Sequence, residues 1–224
     1  MKKFAITGTI GSGKSTVSIL FKRFQIPVFD ADGYSKLCLM DNHPAAIKIK
    51  EVFKEAVLNE NGYLDRKKIA SVVFNNEDAT QHLNAIVHPF VKEGLLNFFE
   101  RYKDHDLVGA EIPLLYECGW EDLFDKVIVV TCHKETAIQR LMEYREFTYE
   151  EAVNRLNVQI DSDKQIERAD TVIYNDGSLT LSDVKLSDNA ADSYGGAVFN
   201  NGELVVSDSV FDSNDIVNRG SASV

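Results

Sequence analysis

No stretch of the sequence approaches the ~20 consecutive apolar residues that a membrane-spanning helix requires, which argues against a helical membrane protein. The opening "MKKFAITG" carries two lysines, but its apolar run stops at a glycine, too soon for a secretory leader. Cysteine is scarce. Cys38, Cys118 and Cys132 are odd in number and spaced for neither a metal site nor a disulfide framework, a usage that fits a reducing cytoplasm. Positive charge is short as well. With 24 Lys+Arg against 35 Asp+Glu the formal net charge is −11. That disfavours sequence-independent binding to nucleic acid or to an anionic membrane, since both need a basic footprint. A small anionic ligand remains compatible, because a local cluster can hold one against the global field.

What is present is an ordinary globular composition, 44% hydrophobic and 26% charged over 224 residues. Strand and helix signals alternate. "KFAIT" reads as a buried strand and "KSTVSILFKRF" as an amphipathic helix, and "IPVFDAD" as a second strand ending in acids. Helical patterns fill roughly 34–103, broken at "NENGYLDR" and "HPF". "DLVGAEIPLL", "DKVIVVTC" and "DTVIYN" are further strands; "KETAIQRLMEY" and "TYEEAVNRLNVQI" are helices. Such alternation predicts an α/β fold with a parallel sheet covered by helices on both faces.

Composition changes near residue 177. Residues 1–177 hold 28 acidic and 22 basic side chains, leaving 7 and 2 beyond, in a segment rich in Ser, Asp, Asn and Gly. An internal repeat lies there: "NDGSLTLSDVKLSDN" (175–189) aligns with "NNGELVVSDSVFDSN" (200–214) at a spacing of 25. Alternating apolar residues between Gly/Asn turns suggest parallel β-helix coils, and the segment resembles repeats of adhesin-like proteins. The alternative is a disordered polar tail, since two coils are too few to fold alone. The division is therefore 1–177, with helical part about 34–105 and lid about 139–160, and a tail, 178–224.

The chemistry is concentrated in "GTIGSGKS". Gly8 to Ser15 fit G-x-x-x-x-G-K-[ST], after a strand and opening a helix, the context the motif needs. Gly8, Gly11 and Gly13 let the backbone turn its N–H groups inward around phosphate oxygens, and Ser12 contributes its main chain to the same cradle. The helix starting near Lys14 adds its positive end. The Lys14 ammonium can reach β- and γ-phosphates, and the Ser15 hydroxyl is placed for Mg²⁺, with Thr16 as support. "VFDAD" then supplies Asp30 and Asp32. On a strand these two share a face at its carboxyl end, where α/β ligand sites form. A kinase needs one carboxylate to orient an acceptor hydroxyl and take its proton, and another to help hold the metal. Asp32, further out, is the better base. A helix cap ahead of "GYSKL" is the structural alternative.

From this point the sequence resembles one family, dephospho-coenzyme A kinase. The likeness runs through the loop, "DAD", "GYLDRKKIASVVF" (62–74), "HPF" (88–90), "EIPLLYE" (111–117), "QRLM" (139–142), "EEAVNRLNVQ" (150–159) and "ADTVIYNDGS" (169–178), nearly 80% of the chain. The resemblance implies a phosphate-loop kinase core with a helical acceptor-binding domain and a mobile lid. It implies transfer of the γ-phosphoryl group of ATP, with Mg²⁺, to the ribose 3′-hydroxyl of dephospho-coenzyme A. Arg66, with Lys67, and His88 would then contact the acceptor, and Arg140 would be the lid arginine. Each could equally be structural, as could Glu111 at its strand end. Two features depart from the family pattern. The second lid arginine's place is Tyr144, with Arg145 one residue later, a rotation of about 100° on a helix. The usual closing helix after "NDGS" is replaced by the repeat tail. A nucleotide-binding but inactive chimera, or another nucleoside or nucleotide kinase, are the alternatives.

Overall fold

The computed structural model describes residues 1–73, 76–157, 159 and 162–176, and beyond them the backbone of short strands between 178 and 218. In chain order the elements are β1 (Lys2–Thr7), α1 (Lys14–Arg23), β2 (Val28–Asp30), α2 (Ala31–Leu37), α3 (Pro44–Phe53), α4 (Arg66–Val73), α5 (Glu77–Arg101), β3 (Leu107–Glu111), β4 (Lys126–Thr131), α6 (Lys134–Arg145), α7 (Tyr149–Asn157), α8 (Ser162–Glu167) and β5 (Thr171–Asn175). The strands that follow are β6 (Ser178–Ser182), β7 (Lys185–Ser187), β8 (Val198–Asn200), β9 (Glu203–Ser207), β10 (Val210–Asp212) and β11 (Ile216–Asn218). The chain divides into two units, one of residues 1–28 and 105–224, the other of 29–104.

The first unit is built on a parallel sheet in which β3, β1, β4 and β5 follow one another in that order, flanked by helices. β1 is central and parallel to both neighbours, with Phe4 opposite Gly109 on β3 and Lys126 on β4. Phe4, Ala5, Ile6 and Thr7 are all buried, as a strand covered on both faces must be. A Cβ at residue 109 would lie 2.4 Å from Cζ of Phe4, so glycine there makes room for the ring. Phe4 also meets Phe21 of α1 at 4.5 Å between ring centroids, and Ile6, Val17, Val28, Val130 and Ile173 complete this core. β5 continues the parallel sheet, Val129 facing Val172.

After β5 the backbone turns back. β6 pairs antiparallel with β5, Asn175 facing Leu179. β9 pairs parallel with β6, and β10 with β7, at an offset of 25 residues. Much of the repeat, including 188–197, lies outside the described residues.

In the second unit α2, α3 and α4 each pack on α5. α5 runs 25 residues, capped by Asn76, whose side chain accepts from the Ala79 N–H, with Glu77 and Asp78 favourably placed in the first turn. The expected break at "HPF" does not occur, and the helix passes straight through Pro89. Proline forfeits the hydrogen bond to Ala85 C=O. Both Pro89 and Ala85 are exposed, so water can take that carbonyl, while Val87, Val91, Leu95 and Phe99 bury the opposite stripe. "NENGYLDR" does interrupt the helices. Asn59 Oδ1 accepts from Asn61 and Tyr63 N–H, and Gly62 sits at φ +76°.

Candidate active site

β1 ends at Thr7 and the chain bends through Gly8 (φ +142°), Gly11 (φ +81°) and Gly13 (φ +97°) into α1. L side chains resist these angles, and space reinforces the demand at residue 8. A Cβ there would fall 2.0 Å from the Val130 carbonyl oxygen. Gly13 is the left-handed N-cap of α1 and offers no side-chain cap, and the helix has no acid in its first turn, so its positive end stays available to an anion. Ser12 N–H closes the loop on Thr9 C=O at 3.2 Å.

The loop is held from outside, mostly through its carbonyls. Asn175 Nδ2 donates to Ser12 C=O at 2.8 Å. Arg140 Nη1 donates to Gly11 C=O at 3.3 Å and reaches Ser12 C=O at 3.5 Å. The Cys132 thiol donates to Gly11 C=O at 3.8 Å, and Gln159 Oε1 accepts from Ile10 N–H at 2.7 Å. Burial chiefly, and Asp176, push the Cys132 thiol above its ordinary range while Arg140 and Lys14 pull it down. Lys14 is buried and its ammonium donates to Thr9 C=O at 2.9 Å. Ser15 Oγ donates to Glu111 Oε1 at 2.7 Å, joining the start of α1 to the end of β3. Ser12 Oγ is buried without a hydrogen-bond partner among the described residues. Thr16 N–H closes the first turn on Gly13 C=O at 3.0 Å.

Of the residues singled out in the sequence, Gly11, Ser12, Gly13, Lys14, Ser15, Thr16 and Arg140 therefore gather in the first unit. Asp30, Asp32, Arg66 and His88 belong to the second. The expectation that Asp30 and Asp32 line one face of a strand is corrected. β2 stops at Asp30, whose Oδ1 accepts from Gly33 N–H at 2.8 Å as the N-cap of α2, and Asp32 lies in that helix's first turn. A capping carboxylate forces the switch from extended to helical backbone, so the two-residue period does not apply. Both acids are exposed. Arg66 opens α4 behind Asp65, whose Oδ1 accepts from Lys67 N–H, and its Nη2 donates to Lys36 C=O at 3.4 Å. His88 is half-buried within α5, and burial lowers its pKa below the ordinary 6.5, favouring neutral imidazole. Tyr144 is 71% exposed at the end of α6, where Arg145 is the last helical residue before left-handed Glu146. Thr148 and Glu151 then form a reciprocal capping box that starts α7.

Asn175, Gln159 and Cys132 were not singled out as site residues by the sequence, and Glu111 only as one of two options. The one signal available was position, since Asn175 and Glu111 both end strands of a parallel sheet.

Residues 3–180 match the family described as dephospho-CoA kinase. A dephospho-CoA kinase of Bacillus cereus is 44% identical over 176 residues, 78% of this chain and 88% of its own. The Listeria monocytogenes dephospho-CoA kinase is 38% identical over 180 residues, 80% and 90% of the two chains. Among solved structures, TT1252 from Thermus thermophilus superposes with a TM-score of 0.71 at 35% identity, covering 79% of this chain and 89% of that one. The dephospho-CoA kinase from Campylobacter jejuni gives 0.58 at 31% identity, with the same coverage.

Proposed function

The chain belongs to the dephospho-CoA kinase family, and we propose that it moves the γ-phosphoryl group of ATP to the ribose 3′-hydroxyl of dephospho-CoA, giving coenzyme A. The observation that carries this reading is the phosphate loop of residues 8–15, its carbonyls held outward, in a chain that matches the family from residue 3 to 180. Phosphoryl transfer asks mainly for positioning and charge neutralisation. The loop amides cradle the phosphates, and the Lys14 ammonium exchanges Thr9 C=O for β- and γ-phosphate oxygens. The Ser15 hydroxyl and the Glu111 carboxylate form a hard-oxygen donor pair that suits Mg²⁺, which when bound there neutralises phosphate charge. Arg140 presents further N–H donors to charge that develops in transfer. Asp32 orients the acceptor hydroxyl and takes its proton; Asp30, Arg66 and His88 bind the acceptor.

The proposed organisation is a kinase domain over 1–177, its acceptor-binding part at about 34–105 and its lid at about 139–160, followed over 178–224 by a repeat tail, β-helix-like or disordered. The β6/β9 and β7/β10 pairs have the same 25-residue offset as the sequence repeat. Three thiols support a reducing, cytoplasmic setting, and no helix among the described residues is long and apolar enough to cross a membrane.

The test is ADP release by the purified full chain with ATP, Mg²⁺ and dephospho-CoA. Lys14→Ala and Asp32→Asn should each lower kcat/KM by about 100-fold or more. Asp32→Asn should leave ATP affinity unchanged. ATP binding without turnover, or faster turnover with a plain nucleoside as acceptor, overturns the reading.

A further inference from the structure

Asn175 lies 163 residues from Ser12 in sequence, yet its side-chain amide makes a 2.8 Å hydrogen bond to the Ser12 carbonyl. A trans peptide is planar, with C=O and the following N–H pointing in opposite directions. Fixing Ser12 C=O on the outer side of the loop therefore fixes Gly13 N–H on the inner side. Among the described residues nothing accepts from that N–H. The approach is close enough that a Cβ at residue 13 would lie 2.1 Å from Asn175 Nδ2. Glycine at 13 is thus required twice, by its φ of +97° and by the amide that packs on it.

Asn175 is itself held in register. It is the last residue of β5, which pairs with β4 on one side, and it faces Leu179 of β6 on the other. The next residue ties down a second segment. Asp176 Oδ1 accepts from His133 N–H at 2.6 Å, at the start of the helix that carries Arg140.

We propose that Asn175 is a positioning residue that aims the Gly13 amide at the phosphates of ATP, so that the end of β5 sets nucleotide affinity. The inference rests on the kinase reading for its ligand, ATP, and not for its acceptor. Asn175→Asp is the sharpest probe. It keeps size and shape, removes the donor, and sets a carboxylate against a carbonyl beside the phosphate cradle.

The experiment measures ATP binding to the full chain by calorimetry without acceptor, then KM for each substrate, with thermal midpoints. Asn175→Asp should weaken ATP binding and raise its KM by about tenfold or more, from one lost hydrogen bond plus added negative charge. KM for dephospho-CoA should move less than about twofold, and the midpoint should hold. Asn175→Ala, without the charge, should weaken ATP severalfold and serves where the Asp variant does not fold. Unchanged ATP affinity in a folded variant overturns the proposal. So does an equal rise in both KM values with a lowered midpoint, the mark of general loosening. Wild-type chain that binds ATP but does not phosphorylate dephospho-CoA defeats the proposed function while leaving this inference intact.

Discussion

Single side chains join segments that are far apart in sequence. Ser15 and Glu111 are 96 residues apart, and the Ser15 hydroxyl donates to Glu111 Oε1 at 2.7 Å. Glu111→Gln keeps the shape and drops the charge, so the Mg²⁺ concentration for half-maximal activity should rise by about tenfold; an unchanged Mg²⁺ titration would remove Glu111 from the metal's surroundings. His88 makes a prediction in pH. Burial lowers its pKa in the folded chain, so the unfolded chain binds the proton more readily. Stability then rises with pH, is complete above the unfolded value near 6.5, and is lost as pH falls below it. Denaturant midpoints between pH 7.5 and 5 should decline, and His88→Gln should flatten that decline. Asp30→Ala removes the cap of α2 and should cost about 1 kcal/mol in urea unfolding.

At the scale of elements, α5 is decided by its buried stripe. Tyr34 packs on Gly94 so closely that a Cβ at residue 94 would meet the ring at 2.3 Å. Gly94→Ala should therefore destabilise by about 1–3 kcal/mol despite alanine's better helix propensity. In a Tyr34→Ala background the same change should cost little, and a double-mutant cycle reads the difference. The same elements show what a sequence can disclose. β1, the loop and α1 are legible because their determinants are adjacent: a short continuous apolar run, glycines, then a helical period. Pro89 misleads because its cost depends on whether Ala85 C=O meets water, which is a tertiary fact. "DAD" misleads because a carboxylate that caps a helix and one that lines a strand end look alike until Gly33 N–H is placed. Asn175 and Gln159 stay hidden for a plainer reason. Their partners in the loop are 163 and 149 residues away, and only the place of Asn175 at a strand end gives a local hint.

For the whole molecule, each of the three thiols is pushed upward, first by burial. Cys118 reaches about 11, with Glu117 adding to the effect. Folded protein should resist iodoacetamide at pH 8, and a reductant should leave the melting midpoint where it was; rapid labelling of Cys118 would contradict this. The sheet order carries a consequence for biosynthesis. The strand that launches the phosphate loop is the second element's neighbour in sequence, but in space it lies between segments 107–111 and 126–131. A growing polypeptide that has emerged only as far as its first helix already contains the loop's three glycines and Lys14, but not the strands that flank β1. On the proposed function, the loop reaches its native setting for ATP only after both flanking strands have been made, and its contact with Asn175 later still, so an early-made segment is completed late.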